Sequence, residues 1–297
     1  MLSVDPKSVP VPKLHSYLLG AVGPRPIAFA STIDKNGNPN LAPFSFFNVF
    51  SANPPIAIFS PARSGRTNTT KHTYDNVKEV AEVVINVVNY DMVHQMSLAS
   101  AEYPKGVNEF IKAGFTMEPS QKVKPFRVKE SPVQMECMVK QVMELGTEGG
   151  AGNLIICEIV MIHINEKYLD EKGNIDQQKI DLVARMGGNW YCRAHGDAVF
   201  EIEKPLTTIG IGVDAIPADI RNSKILTGND LGQLGNCTEL PNETDVNEYK
   251  LTELSELFIE NENNKALLEE KLHQHARSLL SSGKVNEAWK TLLSFNH

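Results

Sequence analysis

The chain has 297 residues, of which 41% are hydrophobic and 22% charged, and its net charge is −7 from 29 basic and 36 acidic residues. That make-up belongs to a globular protein with one large domain, or one medium domain and an extension, and it excludes nucleic-acid binding driven by overall charge. Cys137, Cys157, Cys192 and Cys237 are far apart with no C-x-x-C pair, which excludes the common zinc and dithiol motifs and reads as buried, reduced thiols.

The opening MLSVDPKSVPVPK lacks the apolar core of a secretory signal. LIICEIVMIHI, the most apolar run, is interrupted by Glu158 and His163 and falls short of a membrane span. The expected location is the cytoplasm, with no membrane or nucleic-acid partner. There the N-x-T sequons at Asn68, Asn236 and Asn242 have no use.

In chain order, PIAFASTI (26–33) reads as a strand, and DKNGN after it as a hairpin turn with Asn36-Gly37 supplying positive φ angles. Residues 40–55, NLAPFSFFNVFSANPP, carry four Phe among Ser, Asn and Pro without a charge. A core strand would use Val and Ile, so this stretch is expected to serve both a core and the wall of a pocket for something flat and partly polar. IAIFS (56–60), VAEVVINVV (80–88), VQMECMVKQVMEL (133–145) and NLIICEIVMIHI (153–164) are further strands. The last two are long and separated by Gly149-Gly150, which predicts an antiparallel hairpin. Long antiparallel strands with short partners favour a closed barrel over a parallel sheet. Helices are expected over roughly 67–77 and 90–101.

The loop ARSGRTNTTKHT (62–73) carries Arg63, Arg66 and Lys71 with five hydroxyl side chains and no acid. A phosphate group needs that combination, and a helix starting near Thr67 or Thr69 would add its positive end. A solvated loop before a Thr-capped helix has the same composition, and both readings stand at this point. GIGVDA (210–215) has the form of a dinucleotide fingerprint, but Pro217 interrupts the helix it needs and no βαβ unit surrounds it. It reads as a tight turn. His273 and His275 lie on different faces of a helix and read as surface residues, and His195 as a structural or pocket-edge residue. No metal set and no protein-borne nucleophile is visible, so no catalytic residue is assigned; any chemistry belongs to a bound cofactor. From about residue 245 the chain is acidic and helical, with Leu268, Leu272, Ala276 and Leu279 on one stripe, a C-cap at Gly283 and a restart at VNEAWKTLL. SSGKVNEAWKTLL resembles one tetratricopeptide half-unit, but it occurs once and reads as an amphipathic hairpin docked on the domain or on a partner.

RPIAFAST (25–32), the Asn36-Gly37 turn, NLAPFSFFNVFSANPP, IAIFSP and KHT (71–73) occur in a fixed order. They are followed by VVINVV (83–88), YPKGVNEF (103–110), ESPVQMEC (130–137) and ARMGGNWYCRAHG (184–196). Together these resemble the flavin reductase-like, FMN-binding split β-barrel family, which includes flavoredoxin. The resemblance covers about residues 10–205 and says little of the tail. It implies a mainly β fold, a six-stranded antiparallel split barrel with a few helices over 1–205, followed over 206–297 by an irregular linker and a C-terminal helical extension. It also implies a homodimer with FMN near each subunit interface. By position, Arg63, Arg66, Thr67, Lys71 and Thr73 match the phosphate and ribityl region. Ser31, Thr32, Asn40, Ala42, Ser45, Phe46 and Asn48 match the ring wall, and Ser45 and Asn48 are expected near a ring edge. Ser60, Arg25, Arg185 and Tyr191 lie in matching motifs. His72 departs from the family pattern, where many relatives carry Asp. The implied activity is FMN-dependent oxidoreduction, with NADH or NADPH as transient donor. A non-catalytic FMN electron carrier and a barrel for another phosphorylated cofactor are the alternatives.

Overall fold

The computed structural model describes residues 1–202, 205 and 207–296. The chain forms two compact units, Met1–Phe200 and Glu201–His297. The expected boundary at 205/206 touches Leu206, which lies outside the described residues.

In the first unit, α1 (Val11–Ala21) precedes β1 (Ala28–Ile33), β2 (Pro39–Phe44), β3 (Phe47–Ala52) and β4 (Pro55–Phe59). Then come α2 (His72–Glu79), β5 (Glu82–Asn86), α3 (Val93–Leu98) and α4 (Glu109–Ala113). The short pair β6 (Met117–Glu118) and β7 (Arg127–Val128) leads into the long strands β8 (Val133–Glu144) and β9 (Asn153–Ile164). A small hairpin, β10 (Val183–Arg185) and β11 (Tyr191–Arg193), follows.

The main sheet is antiparallel and has seven strands in the order β2-β1-β5-β8-β9-β4-β3. This corrects the expectation of six strands and of closure, because the edge strands β2 and β3 do not pair with each other. The reason lies in residues 40–55. The chain bends at Ser45-Phe46 between β2 and β3, so one expected wall becomes two strands. Pro43, which has no N–H to offer a ladder, sits just before that bend. β3 then pairs with β4 at the far end of the sheet.

The β8–β9 hairpin is found where expected, with register from Val133↔Ile164 to Glu144↔Asn153. Irregularities at Glu136/Cys137 and Val139/Gln141 bend it, as bulges do, so that β8 can serve β5 while β9 serves β4. Alternation along β1 divides the core. Ala28 and Ala30 face an interior with Phe59, Ile85, Met135 and Cys157. Ile27 and Phe29 face Met92, Met96 and Phe110 of the helical layer. Burial holds the thiol of Cys137 well above its ordinary value and that of Cys157 up at about 12, so both are inert neutral thiols.

Two local expectations change. In the β1–β2 turn only Gly37 takes a positive φ, of 84°. Asp34 organises the rest: its Oδ1 accepts the N–H groups of Asn36 and Asn38 at 2.9 Å, and Asp34 N–H donates to Asn38 O at 3.1 Å. The turn is therefore a three-residue loop with glycine in the left-handed position, a standard hairpin solution. The helix expected over 67–77 begins at His72. Before it, Ser64 Oγ accepts the N–H groups of Arg66 at 3.4 Å and Thr67 at 3.3 Å, and Arg63 Nη2 donates to Asn68 O at 2.6 Å, local bonds that compete with helix formation.

In the second unit, α5 (Ala218–Arg221) and α6 (Gly228–Gly235) are followed by α7 (Glu243–Glu253) and α8 (Ser255–Glu260). α9 (Lys265–Ser281) and α10 (Val285–Leu293) form a hairpin closed at Gly283, whose φ is 73°. The α9 stripe buries Leu268, Leu272 and Ala276, and its last buried position is Leu280, with Leu279 half-buried. Trp289 is buried among Ile220, Leu234 and Ala276, and its indole N–H donates to Leu234 O at 3.2 Å. The GIGVDA segment packs against the end of α6: a Cβ at Gly210 would lie 2.4 Å from Gly235 O, so backbone contact explains that glycine. His273 corrects the surface reading, for it is buried and its Nδ1 meets Ser223 Oγ at 2.6 Å.

Candidate functional site

A cleft of about 510 Å³ opens in the first unit. That volume suits a small-molecule or cofactor site. β2 and the bend after it line it with Asn40, Ala42, Phe44, Ser45 and Phe46. Ser60, just after β4, adds to it, and the basic loop and α2 contribute Thr69, Thr70, Lys71, His72 and Thr73. α3, α4 and the loop between them add Met96, Ala99, Glu102, Tyr103 and Glu109. Arg185 and Tyr191 come from the β10–β11 hairpin and His15 from α1.

Of the residues expected from the sequence, the cleft gathers Asn40, Ala42, Ser45, Phe46, Ser60, Lys71, Thr73, Arg185 and Tyr191. Several are held by exact partners. Asn40 Nδ2 donates to Thr73 Oγ1 at 2.9 Å and to Thr32 Oγ1 at 3.2 Å, tying β2 and β1 to the first turn of α2. Ser60 Oγ accepts Asn153 N–H at 3.0 Å. The Arg185 guanidinium lies 4.6 Å from the centroid of the Tyr191 ring, a cation–π pair at the rim.

The other expected residues lie elsewhere, each for a visible reason. Arg25 is buried and spends its guanidinium on the carbonyls of Leu19, Val22 and Met186, closing the end of α1 onto the β10–β11 hairpin. Ser31 and Thr32 are buried within β1. Asn48 is exposed on β3, where its amide oxygen accepts Val49 N–H at 2.8 Å. Arg63 braces the loop from within: its Nε donates to Asn68 Oδ1 at 2.7 Å and its Nη2 to Asn68 O at 2.6 Å. This clamps Asn68 at a φ of 56°, a left-handed conformation that Asn tolerates better than most residues. Arg66 and Thr67 are exposed on the outer part of the loop.

The cleft also contains residues that the sequence did not single out. Met96 and Ala99 carry the helical spacing of 90–101, and they line the cleft because α3 packs beside β2. Glu102 and Glu109 flank or fall within the YPKGVNEF motif but had no visible partner. Lys71 Nζ lies 2.8 Å from Glu102 Oε1, and Arg66 Nη2 lies 3.4 Å from Glu102 Oε2. The hydrogen bond from Lys71, with the charges of Lys71 and Arg66, holds the Glu102 carboxyl below the usual carboxylate range. Glu109 is buried, and its Oε2 accepts Leu41 N–H at 3.1 Å. Burial raises its pKa, and backbone hydrogen bonds and the charge of His72 only partly offset that.

The cleft thus has two chemically distinct parts. Phe44, Phe46, Met96 and Ala99 offer apolar surface beside the amide and hydroxyls of Asn40, Ser45 and Thr73. Lys71 with the Thr69 hydroxyl offers an anion site, while the Thr70 hydroxyl donates to Asp75 Oδ1 at 2.8 Å. This donor set fits a flat ring with polar edges joined to a phosphate. Among the described residues no group of three or more His, Cys, Asp or Glu could hold a metal ion, and no helix is long and apolar enough to cross a membrane.

Known proteins resemble this chain. A protein of Aquifex aeolicus is 37% identical over 189 residues, which is 64% of this chain and 94% of that one. Nitrilotriacetate monooxygenase component B from Bacillus cereus is 31% identical, with a TM-score of 0.63 over 68% of this chain and 98% of that one. A Shewanella frigidimarina protein, provisionally assigned as a flavin reductase with split barrel domain, is 25% identical, with a TM-score of 0.58 over 69% of this chain and all of that one. About a third of this chain therefore has no counterpart in these relatives. Residues 21–179 match the family described as flavin reductase like domain. The order of motifs, the split antiparallel sheet and the cleft agree with that match, and the chain belongs to the flavin reductase-like family.

Proposed function

We propose that this protein is an FMN-binding oxidoreductase that passes electrons from NADH or NADPH to a flavin or another acceptor, and that FMN occupies the cleft. The observation that carries this reading is the junction of an apolar, amide-edged wall with a cationic, hydroxyl-lined end in one cavity. Lys71 and the Thr69 hydroxyl would hold the phosphate, with Arg66 at the rim. Asn40, Ser45 and Thr73 would meet polar edges of the ring, and Phe44, Phe46 and Met96 would cover apolar surface. Bound FMN supplies the hydride-accepting chemistry, which no side chain of the cleft provides. The chain's own work is to orient the ring, exclude water from it and neutralise the phosphate.

A homodimer belongs to the same reading. α1 has no buried residue although it carries Val11, Tyr17 and Leu18, and Val49 and Phe50 of the edge strand β3 are exposed. Such surface is what a second copy would cover.

Titration of the purified protein with FMN is expected to give saturable quenching of flavin fluorescence on a species that sediments as a dimer. Anaerobic NADH or NADPH should then bleach the bound flavin. Failure to bind FMN would remove the proposal. Binding without bleaching by either nicotinamide would leave an electron carrier in its place.

A further inference from the structure

All three cations of the basic loop already have partners inside the molecule. Arg63 is committed to Asn68 through two hydrogen bonds. Lys71 and Arg66 converge from one loop on the two oxygens of Glu102, which comes from a different segment, the connection between α3 and α4. Both Lys71 and Glu102 line the cleft. A carboxylate therefore already engages the cation that a phosphate would use. The pairing is open to water, with Arg66 84% and Glu102 58% exposed, so it is weak and easily exchanged.

We propose that Glu102 is a built-in competitor for the anion site, engaging Lys71 and Arg66 until a phosphate displaces it. This rests on the phosphate end of the cleft assigned above. A phosphate monoester brings nearly two negative charges and three acceptor oxygens, against one charge and two oxygens for Glu102. It can displace the carboxylate, whereas a singly charged ligand gains nothing by the exchange. A flavin without phosphate leaves the Glu102 pairing in place. Glu102 thus lowers the affinity for FMN and for any other anion that must displace it. It also keeps Lys71 and Arg66 gathered on one side of the cleft in the absence of ligand. Because its carboxyl is held below the usual range, the competitor stays charged throughout the neutral range.

The test is calorimetric titration of wild-type protein, Glu102→Gln and Glu102→Ala with FMN and with riboflavin, at low and moderate salt. Wild type is expected to prefer FMN over riboflavin. Both variants should bind FMN about two- to tenfold more tightly, the range that loss of exposed pairs allows. Riboflavin binding should be unchanged, and FMN affinity should become more salt-dependent because the site gains a net positive charge. Inorganic phosphate, titrated by itself, should likewise bind the variants more tightly than wild type. Unchanged or weaker FMN binding in both variants, with wild type still preferring FMN, would overturn the role of Glu102 and leave the phosphate site standing. Wild type that binds the two flavins equally would overturn the phosphate site itself.

Discussion

Two carboxylates of the first unit sit under almost the same cover and behave in opposite ways. Glu136, on β8, is fully buried and saturated: its oxygens accept the N–H groups of Gln121 at 2.8 Å, Lys122 at 2.5 Å and Val123 at 3.2 Å, and His163 Nε2 lies at 2.6 Å. Burial pushes its pKa up, but those hydrogen bonds outweigh it and leave the group below its ordinary value. Glu109, on the cleft wall, is nearly as buried, yet burial wins there and its pKa is raised. Burial raises both; at Glu136 the donors aimed at the charged form outweigh it, and at Glu109, which lies deeper and has fewer donors, they do not. The saturated group holds a loop against the sheet. The under-satisfied one faces a cavity, where a site retains groups that folding by itself would not choose.

The largest test of this contrast is Glu136→Ala. It strands three backbone N–H groups and the His163 ring inside the protein, and should cost about 3 kcal/mol or more in urea unfolding of the intact chain. Because the folded pKa of Glu136 is depressed, its stabilisation is present above the ordinary carboxylate pKa and lost as pH falls through the folded value. The gap between wild type and variant should therefore shrink on acidification below about pH 4. A gap that stays constant with pH would mean that the loop 119–124 is held by packing instead.

Lys71→Ala comes next, on the cleft side. It should weaken FMN binding by about 1.5–3 kcal/mol, the worth of a hydrogen bond to a charged group, while leaving the urea midpoint within about 0.5 kcal/mol of wild type. Arg66→Ala should weaken binding less, since that side chain is the more exposed of the two. Equal binding by wild type and both variants would move the phosphate elsewhere.

Glu109→Gln is the finest test. Gln can still accept Leu41 N–H but carries no charge. A raised folded pKa means that wild-type stability is fully present below the ordinary carboxylate pKa and declines as pH rises through the folded value. The variant should therefore gain on wild type as pH rises above the ordinary carboxylate range, by the smallest margin of the three. A loss of stability at neutral pH would show that the charged form is paired, with His72 as the partner.

What could be read in advance was local. The β8–β9 hairpin was legible because two long apolar strands flank Gly149-Gly150, and the α9 stripe because Leu268, Leu272 and Ala276 repeat with a helical period. The Gly283 cap and the α10 restart follow from the same kind of short-range signal. The helix start at His72 was misplaced because the hydroxyls of 62–70 look like caps in sequence, whereas in the fold Arg63 fastens Asn68 and keeps that backbone out of a helix.

By itself the sequence determined the strand-rich first unit, the acidic helical second unit, the aromatic wall over 40–55 and the cationic loop beyond it. Each is carried by neighbours along the chain, where side-chain period, turn chemistry and composition act directly. Only the tertiary structure decided that the aromatic stretch breaks at Ser45-Phe46 into the two open edges of the sheet. The same holds for the partition of the cations, with Arg63 facing inward to its own loop while Lys71 and Arg66 meet Glu102. Those outcomes depend on which distant segments a strand order brings within hydrogen-bond reach. Distance along the chain carries no trace of that proximity.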